Sequence, residues 1–155
     1  MEFMKLGRWN IEVDKNRTKD FHSNHHEITE DCDCQGCRNY VAACNKYSEE
    51  VKQFFECFGI DPIKEAEVYV CARNSDGSLL YGGFYHVVGN LINGEDFWIR
   101  TDKTSNYAEP YKLNNEFSYG FTEENALVPD GFPEPVLQLE FITSLPWVLD
   151  EKCEY

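Results

Sequence analysis

Three cysteines within residues 32–37, spaced CxCxxC, have the types and spacing that could do chemistry. Cys32, Cys34 and Cys37 stand at or just before a predicted helix start, where free backbone amides and the helix dipole favour a thiolate. A thiolate is both a nucleophile and a zinc ligand, so the spacing indicates either a redox dithiol or a metal site. The third interpretation is a helix start with inert, reduced thiols.

The charge around these cysteines favours a metal over redox chemistry. Arg38 is the one basic residue close to them, whereas four acidic residues flank them: Glu27, Glu30, Asp31 and Asp33. Carboxylates raise the pKa of a nearby thiol by repulsion, which weakens a nucleophile, but they attract a divalent cation. Tetrahedral zinc needs a fourth ligand, for which the candidates are His22, His25, His26, Cys44 and His86. No second CxxC pair follows downstream.

A second candidate site surrounds His86, in the stretch LLYGGFYHVVG. A buried imidazole needs a partner such as Tyr or Glu, so a satisfied core histidine is the first interpretation. Gly82 and Gly83 indicate a bulge or a close backbone approach, which could open a cleft. The alternative is a binding or catalytic site formed by His86, Gly82, Gly83 and Tyr85. The histidines of HSNHH, residues 22–26, are interpreted as solvated side chains.

The charge balance and the absence of a leader limit the expected partners. The sequence has 28 acidic against 14 basic residues, a net charge of -14, which repels nucleic acid and anionic membranes. The first residues lack the apolar core of a signal peptide, and no window approaches the ~18 apolar residues that span a bilayer. We therefore expect a cytoplasmic protein whose seven cysteines are reduced.

Hydrophobic periodicity predicts the first half of the fold. LGRWNIEVD predicts an edge strand, and residues 14–31 are expected to be part helix and part loop. Apolar positions then recur every three or four residues, which predicts one helical face: Tyr40, Cys44, Tyr47, Val51, Phe54 and Phe58. Gly59 and Pro62 end this helical run, and Ser48 could divide it by capping a second helix.

Beyond Pro62 the pattern predicts strands. Residues 67–72 and 79–88 form a hairpin, and Asn93-Gly94 predicts a second hairpin that continues into residues 96–99. Further strands are predicted at residues 116–121 and, with one face buried, at 136–142. Together the elements predict a single α+β domain over residues 1–155, with a helical segment on one face of a mainly antiparallel sheet.

Several blocks of the sequence together resemble an uncharacterised family of small bacterial proteins. The blocks are CDCQGCRNY, FGIDP, LLYGGFYHVVG, PEPVLQLEF and PWVL, which extend over nearly the whole chain. The resemblance implies a shared fold, and it brings no assigned activity, cofactor or catalytic residue.

The sequence favours a non-enzymatic acidic module that binds another protein, as immunity or antitoxin proteins do, and its negative charge would suit a basic partner. One alternative is a small metalloprotein with a structural zinc ion held by Cys32, Cys34 and Cys37. The other is an enzyme or ligand-binding protein centred on His86. The sequence has no GxGxxG, P-loop, GxSxG or HExxH motif, which disfavours an enzyme.

Overall fold

The computed structural model describes residues 1–102 and 105–155, and for Ala66 only the backbone. Four helices pack on a seven-stranded, antiparallel sheet, which confirms the predicted α+β class. In chain order the elements are β1 (Glu2–Leu6), β2 (Trp9–Val13), α1 (Lys15–Asn24), α2 (Ile28–Asp31), α3 (Gln35–Ala43), a 3₁₀ turn (Cys44–Lys46), α4 (Glu49–Phe58), β3 (Ala66–Arg73), β4 (Leu79–Asn93), β5 (Trp98–Arg100), β6 (Asn106–Ala108), β7 (Tyr111–Lys112), β8 (Phe117–Thr122) and β9 (Val136–Leu145).

β4 organises the sheet, because it pairs with three other strands. Residues 79–85 of β4 pair with β3, residues 79–88 with β9, and residues 89–93 with β2. The strand order is β1-β2-β4-β9-β8-β7, with β3 also on β4, while β5 and β6 form a separate two-stranded sheet. The predicted hairpin of residues 67–72 and 79–88 is confirmed as β3 and β4.

The predicted helical stripe is confirmed and is divided at Ser48. All six of its apolar residues are buried, from Tyr40 to Phe58. Ser48 caps α4, since its Oγ accepts a hydrogen bond from the Val51 amide at 3.3 Å. Gly59 ends α4 with a φ of +79°, a conformation that glycine adopts at low cost. The stripe thus belongs to two helices on one core.

Aromatic side chains fill the space between the helices and one face of the sheet. The Phe55 ring of α4 lies 5.2 Å from the Tyr85 ring of β4, edge to face. The Tyr40 ring of α3 lies 5.3 Å from the Tyr81 ring, also on β4. Such pairs stabilise a core beyond the area that they bury, so the helices are held by β4.

The N-terminal prediction was incomplete, because the chain forms two strands where one was expected. β1 and β2 are a hairpin that turns at Gly7, whose φ is +58°. β1 is largely exposed, and β2 carries the buried Trp9, Ile11 and Val13. The alternation correctly predicts a strand at β2, but this strand lies between β1 and β4 and is not the expected edge strand. The edge strand is β1, which has little buried surface and which the pattern did not predict.

The hairpin predicted at Asn93-Gly94 is wrong. β4 continues to Asn93 and pairs with β2, and residues 98–100 pair with β6 instead of returning along β4. The chain after Gly94 is bound to the start of β2: the Trp9 indole donates to the Glu95 carbonyl at 2.8 Å, and Arg8 to the same carbonyl at 3.1 Å. These long-range hydrogen bonds override the local turn preference.

The second face of the sheet is partly covered, contrary to the expected half-buried β9. Gln138 and Glu140 were predicted to be solvated, but both are buried. The Ala126 amide donates to Gln138 Oε1 at 2.7 Å, and the Trp98 indole to Glu140 Oε1 at 3.2 Å. The segments that contain Trp98 and Ala126 therefore close over these residues.

Candidate metal centre

Cys32, Cys34 and Cys37 meet at the N-terminus of α3. Their Sγ atoms all lie within 4.8 Å of one another. Cys34 is the N-cap of α3, and its Sγ accepts a hydrogen bond from the Cys37 amide at 3.4 Å. The Cys32 thiol donates to the same sulfur at 3.2 Å. This cluster is close enough to hold a metal ion, as the spacing predicted.

The three thiols are not equivalent in acidity. Burial raises the pKa of Cys34, but hydrogen bonds from the Cys37 amide and from the neighbouring thiols outweigh it, so that the pKa is lowered. Burial, with the adjacent sulfurs, raises the pKa of Cys37 well above its usual range. Cys32 and Cys34 are exposed, whereas Cys37 is buried. Cys34 therefore loses its proton more easily than Cys37.

The C-terminal segment packs against this cluster, which the sequence alone did not indicate. Arg38 is paired with the carboxylate of Glu151. Gln35 Nε2 donates to the Lys152 carbonyl at 2.9 Å, and the Gly36 amide donates to the Tyr155 hydroxyl at 3.1 Å. These contacts join residues more than 110 positions apart, so no local pattern predicts them.

A cavity of about 230 Å³ adjoins the sulfurs. Its other walls come from α3, β3, β4 and the C-terminal segment: Gly36, Val68, Tyr69, Val70, Tyr81 and Tyr155. Within the part of the chain that the structure describes, no further His, Cys, Asp or Glu completes this cluster. None of the five fourth-ligand candidates from the sequence therefore lies in it. A metal held here has three protein ligands and an open position.

His86 is fully buried in the sheet and hydrogen-bonded on both ring nitrogens. Its Nδ1 lies 2.6 Å from Glu65 Oε1, and its Nε2 lies 3.2 Å from Gln138 Oε1. Glu65 Oε2 also accepts a hydrogen bond from the His86 backbone amide at 3.0 Å. The expected carboxylate partner of a core histidine is thus Glu65, a residue that the sequence analysis did not single out.

The orientation of the Gln138 side-chain amide indicates which ring nitrogen of His86 donates a hydrogen bond. Gln138 Nε2 donates to Glu140 Oε1 at 2.8 Å, and Gln138 Oε1 accepts from the Ala126 amide, which fixes the amide orientation. His86 Nε2 faces that oxygen and must donate to it. The Glu65 carboxyl group faces the other ring nitrogen, so both nitrogens of His86 have a partner inside the protein.

The glycines beside His86 mark a close backbone approach and no bulge. A Cβ added at Gly83 would overlap the Glu67 carbonyl oxygen of β3, and one added at Gly82 would meet the Tyr69 ring. The register shift of β3 lies between Val70 and Ala72 instead. Tyr85 is also buried, so a binding site formed by His86, Gly82, Gly83 and Tyr85 stays a prediction.

His22 is buried, although its polar surroundings in the sequence predicted a solvated side chain. Its side chain is 1% exposed, and its Nε2 lies 3.2 Å from the His86 carbonyl oxygen. Burial lowers the pKa of His22, although Glu65, whose Oε2 is 3.7 Å away, acts in the opposite direction. The neutral imidazole is therefore the form that the folded state favours.

This burial predicts a loss of stability in mild acid. The pKa of His22 in the folded state lies below its value of about 6.5 in the unfolded state. As the pH falls from about 6.5 towards the pKa of the folded state, only the unfolded state therefore gains a proton. The free energy of unfolding is expected to fall by up to about 1.4 kcal/mol per pH unit in this window and to be flat between pH 7 and 8. Urea titrations of the native protein and of His22→Gln at several pH values measure this pH dependence of the free energy of unfolding. An unchanged slope in the variant would contradict this assignment.

The described residues contain no helix that is long and apolar enough to cross a membrane. No model of a known protein family matches the chain, and no curated protein or solved structure is significantly similar to it.

Proposed function

We propose that this protein binds zinc through Cys32, Cys34 and Cys37. The observation that supports the proposal best is the convergence of three sulfur atoms within 4.8 Å at a helix start. Thiolate sulfur is a preferred zinc ligand, and amides at a helix N-terminus stabilise the negative charge that the thiolates bring. The acidic residues around the cluster add to the attraction for a divalent ion.

The three sulfur atoms are close enough together to bind one tetrahedral zinc ion. With a Zn–S bond of about 2.3 Å, two ligands of a tetrahedral ion lie about 3.8 Å apart. The separation of 3.2 Å between the sulfurs of Cys32 and Cys34 and the 4.8 Å limit for the cluster bracket this value. Small side-chain rotations would equalise the distances. The fourth position would face the cavity and take water or another small donor.

Metal analysis of untagged protein tests this proposal. We expect about one zinc ion per chain, and free zinc at about 100 times its dissociation constant is expected to stabilise the fold by about 2.7 kcal/mol. Cys34→Ser and Cys37→Ser are expected to lose the metal and the stabilisation. Cys71→Ser is the matched control, because Cys71 is also exposed but lies outside the cluster on β3.

Cobalt gives an independent measurement of the ligands. Sulfur-to-cobalt charge-transfer absorption should appear on addition of Co²⁺ to the native protein and to Cys71→Ser, but not to Cys37→Ser. Zinc-free protein after purification and zinc dialysis, or equal metal content in all three cysteine variants, would refute the proposal.

The net charge of -14 supports a second candidate, an interaction module for a basic protein. Such a partner would associate faster at low ionic strength, because the long-range field steers the encounter. A partner captured from lysate that is released by moderate salt would support this function, and capture that does not change with salt would count against it.

A further inference from the structure

A second group of metal-binding side chains lies outside the cysteine cluster. The ligand atoms of His25, His26 and Asp31 all lie within 4.8 Å of one another. His25 is the C-cap of α1, and its amide donates to the His22 carbonyl at 3.2 Å. Asp31 is the last residue of α2. The turn between these helices therefore places two imidazoles and a carboxylate together.

The helix connection holds these residues in place. Glu27 and Glu30 form a capping box at the start of α2, in which Glu30 Oε2 accepts from the Glu27 amide at 2.6 Å. The Ile28 amide donates to the Ile63 carbonyl at 2.9 Å, which ties α2 to the chain before β3. Lys64 Nζ donates to the His25 carbonyl at 3.0 Å. Hydrogen bonds to Ile63 and Lys64 thus fix both ends of the turn.

The three side chains already contact one another. His26 Nε2 lies 2.7 Å from Asp31 Oδ2, and the rings of His25 and His26 have centroids 4.1 Å apart. The Phe21 ring stacks on His25 at 5.2 Å. His25 is half-buried, and the other two are exposed. The two imidazoles, tilted by 30° relative to each other, therefore lie beside one carboxylate, and rotation of their side chains would direct a nitrogen of each towards one ion.

These side chains border the cavity between α2 and the sheet. It has a volume of about 500 Å³ and is lined by three further carboxylates, from Glu65, Glu67 and Asp130. Its apolar wall is formed by Ile28, Phe84, Leu127 and Pro129. A cation bound at the rim is stabilised by these carboxylates, and a small ligand could reach it from the cavity.

We propose that His25, His26 and Asp31 bind a divalent first-row transition-metal ion at the rim of this cavity. Two imidazoles and one carboxylate form a mixed nitrogen and oxygen donor set, which suits ions such as Mn²⁺, Fe²⁺ and Co²⁺ and leaves coordination positions open. This site differs in chemistry from the cysteine cluster, whose sulfur ligands prefer softer ions. The open positions face water and the cavity.

Manganese is the probe for this site, because it binds thiolates weakly. The electron paramagnetic resonance signal of free Mn²⁺ disappears on binding, so a titration counts the ions that the full chain holds. We expect one saturable Mn²⁺ per chain in the native protein and in Cys37→Ser, which also separates this result from the fate of the zinc proposal. The ring protons of His25 and His26 are expected to broaden in the NMR spectrum.

Charge-matched variants decide whether the ion sits at these residues. Asp31→Asn and His26→Gln are expected to weaken Mn²⁺ binding about tenfold or more, which is at least about 1.4 kcal/mol. Glu2→Gln removes the same charge from the exposed strand β1 and is expected to change the affinity less than twofold. Unsaturable binding, or equal weakening in Asp31→Asn and Glu2→Gln, would overturn the proposal, since either result indicates diffuse attraction to an acidic surface.

Discussion

Replacement of His86 with leucine is expected to lower the free energy of unfolding by about 3–5 kcal/mol. The variant removes the ring that contacts the Glu65 carboxyl group and leaves this group buried, with only 5% of the residue exposed. It also removes the donor that faces Gln138 Oε1. A buried polar or charged group without its partner costs far more than the pair contributed, because its desolvation is no longer compensated.

Urea denaturation of a double variant separates this cause from a packing defect. His86→Leu/Glu65→Leu removes both partners, so it is expected to recover most of the lost stability. Glu124→Gln, at an exposed ion pair with Arg100, should change stability by less than about 1 kcal/mol. A small effect of His86→Leu alone would contradict a core role and would favour the binding role predicted for His86 instead.

Replacement of Phe55 with alanine is also expected to cost about 3–5 kcal/mol. Phe55 is 1% exposed, and its ring lies 5.2 to 5.6 Å from those of Tyr85, Phe117 and Tyr47. It therefore joins α4 to β4, β8 and the chain before α4. Its removal leaves a cavity that these rigid rings cannot fill by small shifts, because each is held by other contacts.

Phe3→Ala is the matched control for this experiment. The same side chain is removed there from β1, where Phe3 is 63% exposed, so the expected loss is within about 0.5 kcal/mol. Thermal and urea unfolding measure both variants. Similar losses in the two variants would mean that Phe55 is not part of the closely packed core.

The elements that the sequence predicted correctly depend on short-range patterns. The helical stripe from Tyr40 to Phe58 repeats every three or four residues, and the Ser48 cap and Gly59 lie next to it. The β3 and β4 hairpin needs only two strand patterns and the turn at Asn74 to Gly77. In each case the residues that decide the structure lie within one or two turns of one another.

The elements that were missed depend on distant partners. Asn93-Gly94 has the composition of a hairpin turn, but Glu95 is bound by Trp9, which lies 86 residues earlier. Gln138 and Glu140 alternate with apolar residues as a solvated face does, yet Trp98 and Ala126 close over them. An alternating pattern shows which residues differ in polarity, but it does not show which distant segment will cover the polar ones.

The candidate metal centre shows the same division. The cysteines lie within six positions of one another, so their convergence followed from spacing and the helix start. In contrast, the cavity beside the cysteines is partly formed by Tyr69 on β3 and by Tyr155, which are distant from the cysteines in the sequence. His25, His26 and Asp31 come together because of the turn between α1 and α2. Hydrophobic periodicity did not predict where that turn lies.

The position of β4 in the sheet has a consequence for the nascent chain. Glu12 on β2 accepts a hydrogen bond from Asn90 on β4, 78 residues later, and all four helices lie between them. During synthesis the first hairpin and the helices leave the ribosome before the strand on which they pack exists. Closing so long a loop costs entropy before any contact compensates for it. The emergence of β4, and later of β9, therefore sets the time at which this protein can begin to fold.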